Sequence, residues 1–153
     1  ARKYDYHTRL IEAAGEINDA MPQYVVERLM KLLNLERKCL NGAKIIMLGI
    51  AYKGDIDDMR ESPALKVLEL LEGAKAEVTV IDPYVTAFKW KDGLRKTDPL
   101  QRDQLGEADA VVITTAHKNG VDYRTVCEEA RLVFDTKNIL KTLDVDRSRV
   151  FVL

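Results

Sequence analysis

The chain has 153 residues, 46% apolar and 32% charged, which is enough to bury a real core and too apolar for a disordered polymer. Its 24 Lys and Arg against 25 Asp and Glu leave a net charge of -1, so no overall basic field draws it to nucleic acid or anionic lipid, and any anion must be recognised by a local cluster. No apolar run approaches the ~20 residues of a membrane span, and two distant cysteines without CxxC spacing speak against zinc and for a reducing, cytoplasmic setting.

The first residues, Ala1-Arg2-Lys3-Tyr4-Asp5-Tyr6, lack the apolar segment of a signal peptide. The chain opens without Met inside helical sequence, which suggests a piece of a longer protein. From His7 to about Leu33, apolar residues recur at helical spacing: Leu10, Ile11, Ala14, Ile17, Met21, Val25, Leu29, Leu32 and Leu33. Pro22 interrupts the run, either starting a second helix or kinking one long one. A helical arm ahead of the first strand needs a surface to pack on. Its own domain and an outside surface, a dimer partner or a preceding domain, are equally compatible with the pattern.

Asn41-Gly42 marks a turn into a predicted strand, 45–50, which ends in a charged loop. Ser62 then reads as a helix cap with Pro63 at the first position, and the helix runs to Glu72 with Gly73 as its stop. A second strand covers 77–81. Residues 86–98 lack periodicity and read as an excursion with a short helical turn. A short helix is expected within 99–107, strands at 110–115, 131–135 and 150–153, and a helix over 123–130. Continuously apolar strands alternating with helices predict an α/β, three-layer, Rossmann-like domain: a mainly parallel five-stranded sheet preceded by an N-terminal helical arm.

In open α/β sheets, ligands bind beyond the carboxyl ends of the strands, which directs attention to residues 48–63. The GxGxxG of a dinucleotide cradle is absent, since only Gly49 and Gly54 occur there, and no Walker A lysine is present. Lys53 and Arg60 could meet an anion, helped by Ser62 and the amides of a helix start. Alternatively Lys53, Asp55, Asp57, Asp58 and Arg60 pair among themselves on a solvated surface, and charge pattern alone favours this reading because such loops are common.

The sequence Gly49-Ile50-Ala51-Tyr52-Lys53-Gly54-Asp55-Ile56-Asp57-Asp58-Met59-Arg60-Glu61-Ser62-Pro63 resembles the carboxy-terminal domain of the UDP-glucose/GDP-mannose dehydrogenase family. The family's order is also followed by Gly15-Glu16-Ile17-Asn18 with Met21-Pro22, Asp82-Pro83-Tyr84, Ala108-Asp109-Ala110 and Phe134-Asp135-Thr136-Lys137-Asn138. The text around Ile11–Asn18 and Tyr24-Val25-Val26 looks closest to the branch acting on UDP-N-acetylhexosamines. The resemblance implies oxidation of a UDP-sugar C6 alcohol to a carboxylate with two NAD. It implies that NAD and the reactive cysteine belong mainly to an upstream domain, with no catalytic nucleophile and no metal site in this chain. Residues 1–35 would end the central dimerisation helices of a homodimer, and 36–153 would form the UDP-sugar-binding domain. By position, Tyr52 and Lys53 would contact the UDP-sugar, Lys53 near the diphosphate, while Arg60 would reach the NAD phosphates. Lys137 stands where the family usually has Arg, so it can neutralise phosphate but not fork onto it. Asp55, Asp57 and Asp58 would orient Lys53 and Arg60.

The other candidates read as structural. His7 and His117 have no second ligand-type residue beside them, Trp90 with Phe88 reads as a buried aromatic of the excursion, and Asp82 as an Asx turn before Pro83. Cys39 and Cys127 read as apolar fillers. Two rivals remain: a receiver-like signalling module with a magnesium pocket at Asp82 and Asp135, and a purely structural dimerisation piece.

Overall fold

The computed structural model describes residues 9–153, so the expected helix start at His7, and His7 itself, lie outside the described residues. Helix α1 (Arg9–Leu35) runs without a break through Pro22. The missing amide costs one helical bond, but Pro22 is buried and sits where the helix begins to pack. Beyond it Val25, Val26, Leu29, Leu32 and Leu33 enter the core. Before it Leu10, Ile11 and Ile17 stay 84%, 68% and 64% exposed. The arm thus packs on its own domain over its second half, and its first half presents an apolar row outward.

The remaining elements are β1 (Lys44–Leu48), α2 (Pro63–Gly73), β2 (Glu77–Ile81), β3 (Ala87–Trp90), β4 (Gly93–Lys96), α3 (Arg102–Glu107), β5 (Ala110–Ile113), α4 (Tyr123–Glu129), β6 (Val133–Asp135) and β7 (Val150–Val152). A five-stranded sheet has the order β2-β1-β5-β6-β7, and every pairing in it is parallel. Side chains alternate across it as period 2 requires. Ile45, Met47, Val80, Val112 and Phe134 face α1 and α2. Ile46, Leu48, Ile81, Val111, Ile113 and Val133 face α3 and α4. Two apolar layers on one sheet make the three-layer architecture and explain why the strands read as unbroken apolar runs.

Three local expectations change. Residues 86–98 form no helical turn but an antiparallel hairpin, β3 on β4, with Phe88 buried and Trp90 half-buried. Strand β4 (Gly-Leu-Arg-Lys) carries no apolar alternation because the hairpin is held by polar contacts. Trp90 Nε1 and Lys91 donate to Glu72 Oε2 at 3.0 and 2.6 Å, and Arg95 pairs with Glu72 and the Val78 carbonyl. Burial pushes the Glu72 carboxyl up, but the bonds from Lys91, Trp90 and Arg95 outweigh it and hold the group below its usual value. The strands β1 and β5 also end two residues early. The Leu48 carbonyl accepts both Thr114 and Thr115 amides at 2.9 and 3.2 Å, and Gly49 turns to φ +89°, so the chains peel apart there.

Lastly, Gly73 does not stop α2 but closes its last turn, and the left-handed position falls at Lys75 (φ 66°). An added Cβ at Gly73 meets nothing within 4 Å. Gly73→Ala should therefore stabilise the chain by roughly 0.5–1 kcal/mol, read as a raised urea midpoint at unchanged slope. Ser62 does cap α2, its Oγ accepting the Ala64 amide at 3.3 Å.

β1 is followed by α2 on one face of the sheet, while its neighbour β5 is followed by α4 on the other. This order reversal opens a crevice beyond the carboxyl ends of β1 and β5, the usual ligand position in such sheets.

Candidate functional site

Asp82, directly after β2, organises this end of the sheet. One carboxylate oxygen accepts the Ile50 and Ala51 amides at 2.8 and 3.2 Å and faces His117 Nε2 at 3.2 Å. The other accepts the Tyr84 and Val85 amides at 2.9 and 3.0 Å. The expected Asx turn is present but is half of the residue's work. Burial pushes the Asp82 carboxyl up, yet the bonds from His117, Ile50, Tyr84 and Val85 outweigh it and bring it down to about 2. Sequence reasoning missed this because the partners lie 31, 32 and 35 positions away.

Other motif acids are spent similarly. Asp135 Oδ1 and Oδ2 accept the Lys137 and Leu140 amides at 3.0 and 2.9 Å, opening a 3-10 turn at Ile139–Thr142. Asp109 accepts the Lys44 amide at 2.9 Å and pairs with Lys38 at 2.9 Å. Asp82 and Asp135 are each turned onto amides near the strand ends, and no cluster of three or more metal-ligating side chains, such as a receiver-like module would need, occurs among the described residues.

The charged loop is partly self-paired and partly committed elsewhere. Asp58 grips Arg60 with both oxygens, at 3.0 and 2.8 Å, and that guanidinium brings the Asp58 carboxyl down to about 2. Asp55, by contrast, turns to the loop after β5, where its Oδ1 accepts the Lys118 and Asn119 amides at 3.0 and 3.1 Å. It does not orient Lys53, whose ammonium meets the Tyr52 ring at 5.7 Å. Of the three aspartates expected to steer the cations, Asp58 alone does so among the described contacts.

Tyr52, Lys53 and Lys137 line one open groove together with Ser62, Thr114 and Thr136. Its far wall comes from α1 (Asn18, Asp19, Pro22) and from Trp90 and Lys91 of the hairpin, so Trp90 borders the groove. Arg60 lies outside it, beside a separate shallow depression formed with Asp57, Asp58, Met59 and Leu65, and its side chain is 88% exposed. Thr114 had no sequence signal, and Thr136 had only its place in the motif Phe134-Asp135-Thr136-Lys137-Asn138. Their hydroxyls donate to the carbonyls of Gly49 and Ile113 at 2.5 and 2.7 Å, and only the paired strand ends bring them there. Cys127 is buried, which pushes its thiol up, away from the activated thiolate that covalent chemistry needs. Cys39 is exposed rather than an apolar filler, and its thiol donates to the Asn41 carbonyl at 3.2 Å.

Residues 46–142, which contain the charged loop, Asp82, His117 and Lys137, match the model described as the UDP-glucose/GDP-mannose dehydrogenase family, UDP binding domain. The chain belongs to this family. It is 31% identical to a UDP-N-acetyl-D-mannosamine dehydrogenase of Methanococcus vannielii over 144 residues, 88% of this chain and 31% of that protein. It is 27% identical to a UDP-N-acetyl-D-glucosamine 6-dehydrogenase of Pseudomonas aeruginosa over 155 residues, 97% of this chain and 35% of that one. Its fold superposes on a UDP-N-acetylmannosamine dehydrogenase from Pyrococcus horikoshii with a TM-score of 0.76 at 30% identity, covering 97% of this chain and 34% of the other. The chain spans about a third of the length of these relatives.

The family is NAD-dependent, and the turn after β1 does not fit that dinucleotide. A Cβ on Gly49 would stand 2.4 Å from Thr115 Cβ, and one on Gly54 would stand 1.9 Å from the Ala116 carbonyl oxygen. Both glycines admit this chain's own β5 loop where a cradle would admit a pyrophosphate.

Proposed function

We propose that this chain is the part of an NAD-dependent nucleotide-sugar 6-dehydrogenase that grips the UDP end of the substrate. The observation that carries the reading is the convergence of Tyr52 and Lys53, after β1, with Lys137, after β6, on one groove within the matched region. Two ammonium groups there act as compact charges toward a diphosphate. Tyr52, half-exposed at 51%, offers a face and a hydroxyl to the same ligand.

In the parent enzyme the C6 alcohol of the UDP-sugar becomes a carboxylate and two NAD are reduced. The names of the relatives support a UDP-N-acetylhexosamine as substrate. Arg60, turned away from the groove and held ready by Asp58, is suited to NAD phosphates across the domain cleft. The exposed apolar half of α1 supports residues 1–35 as the end of a homodimerisation region, with 36–153 as the UDP-sugar domain. Two free cysteines support the cytoplasm as its location. This chain alone is expected to turn nothing over, because its glycine turn is filled and its buried thiol is not activated.

Calorimetric titration of the chain with uridine diphosphate should give weak, salt-sensitive binding. Lys53→Ala should lose about tenfold or more, as expected for one charge-assisted contact. Absence of any UDP-dependent heat at millimolar ligand would remove nucleotide capture by this chain.

A further inference from the structure

His117 is wholly buried after β5, and both ring nitrogens are engaged. The Asp55 amide donates to Nδ1 at 3.0 Å, so Nδ1 is the unprotonated nitrogen. The proton sits on Nε2 and points at Asp82 Oδ2, 3.2 Å away. Tyr84 stacks on the ring with centroids 5.3 Å apart and planes 16° from parallel. An imidazole held at two edges and one face has a single orientation, and what it holds in turn is the middle of the charged loop.

The loop has three anchors. Asp82 takes the amides of Ile50 and Ala51 at its start. The Asp58 carbonyl accepts the Tyr52 amide at 2.7 Å and folds the loop back on itself. Between them, Gly54 presses against the Ala116 carbonyl and Asp55 exchanges hydrogen bonds with residues 117–119 from a left-handed backbone (φ 63°). Lys53 has no ion pair among the described residues, so its place is inherited from the backbone on either side.

We infer that His117 is a positioning residue for ligand capture: by accepting the Asp55 amide it sets the path of the Tyr52–Lys53 segment along the groove. This rests on the reading that Lys53 meets the nucleotide. It adds a residue on another strand's loop that touches no ligand and acts through one hydrogen bond.

Asparagine and glutamine divide the imidazole between them. His117→Asn places an acceptor oxygen near Nδ1 and gives up the bond to Asp82, whereas His117→Gln places a donor near Nε2 and gives up the bond to Asp55. In hydrogen-exchange NMR, the Asp55 amide should stay protected in His117→Asn and exchange about tenfold faster or more in His117→Gln. UDP affinity should follow the same order, within about threefold of the parent for Asn and down about tenfold for Gln. Thermal stability should run the other way, because the Asn variant leaves buried Asp82 short of a donor. Affinity that instead tracks melting temperature, or an Asp55 amide equally protected in both variants, overturns the assignment. If a variant does not fold, the unmodified chain decides: nitrogen-labelled His117 should show coupling across the Asp55 N–H to Nδ1 bond, and a protonated Nδ1 overturns it. A chain that gives no UDP heat removes the nucleotide reading, while the exchange comparison still decides whether His117 positions the loop.

Discussion

Asp82→Ala is expected to lower stability by about 3–5 kcal/mol, a fall in melting temperature of roughly 10 °C or more. The side chain is buried and receives four backbone amides and an imidazole N–H, from Ile50, Ala51, Tyr84, Val85 and His117. Alanine removes the acceptor of all five donors, four of them in buried bonds and the Tyr84 amide in a part-buried one, and each buried orphan carries its desolvation cost. A loss under about 1 kcal/mol would mean that the donors find other partners. The same group sets an acid limb. Its folded pKa of about 2 lies below the ordinary 3.8, so its contribution is complete above about pH 4 and is lost as pH falls toward 2. At 1.36 kcal/mol per pH unit this amounts to about 2 kcal/mol. Denaturant titrations from pH 6 to pH 2 should show that slope in the parent and a shallower one in the variant.

Gly49→Ala should cost about 3 kcal/mol or more. The added Cβ would stand 2.4 Å from Thr115 Cβ and 2.9 Å from the Thr115 Cα and N, at a backbone φ of +89°. Thr115 cannot retreat easily, since its amide bonds to the Leu48 carbonyl at 3.2 Å and its hydroxyl to the Ala51 carbonyl at 2.7 Å. The substitution therefore combines a strained conformation with overpacking at the junction of two strands. Gly42→Ala is the control: it shares a left-handed backbone, φ +76°, but its Cβ would meet nothing within 4 Å. It should cost about 1 kcal/mol. Equal losses at the two positions in chemical denaturation would show that the Thr115 contact yields.

The parallel sheet and its helices were legible because strands buried on both faces must be continuously apolar, and Ile45 to Leu48 and Ala110 to Ile113 are. The cap at Ser62 was legible because capping is local chemistry. The hairpin over 86–98 was not, because what holds it is Glu72, a residue of another element that gathers Trp90, Lys91 and Arg95. At the site, the loop bearing Tyr52 and Lys53 stood out by its charge and its place after a strand. That Arg60 would not share its groove depends on the fold-back of the loop from Tyr52 to Asp58 and on the grip of Asp58, and that Lys137 would depends on strand order. The weight carried by His117 and Asp82 was hidden for the same reason. Each looks isolated in sequence, and each finds its partners only where β1, β2 and β5 end together.

Helix α1 joins three parts of the molecule on one axis. At 1.5 Å per residue its 27 residues make a rod of about 40 Å. Its outer end carries Leu10, Ile11 and Ile17, its middle walls the groove, and its inner end is rooted in the core. One uninterrupted helix thus carries both the groove wall and the exposed apolar row, so whatever covers Leu10, Ile11 and Ile17 sits within about 20 Å of Asn18, Asp19 and Pro22 along the same axis.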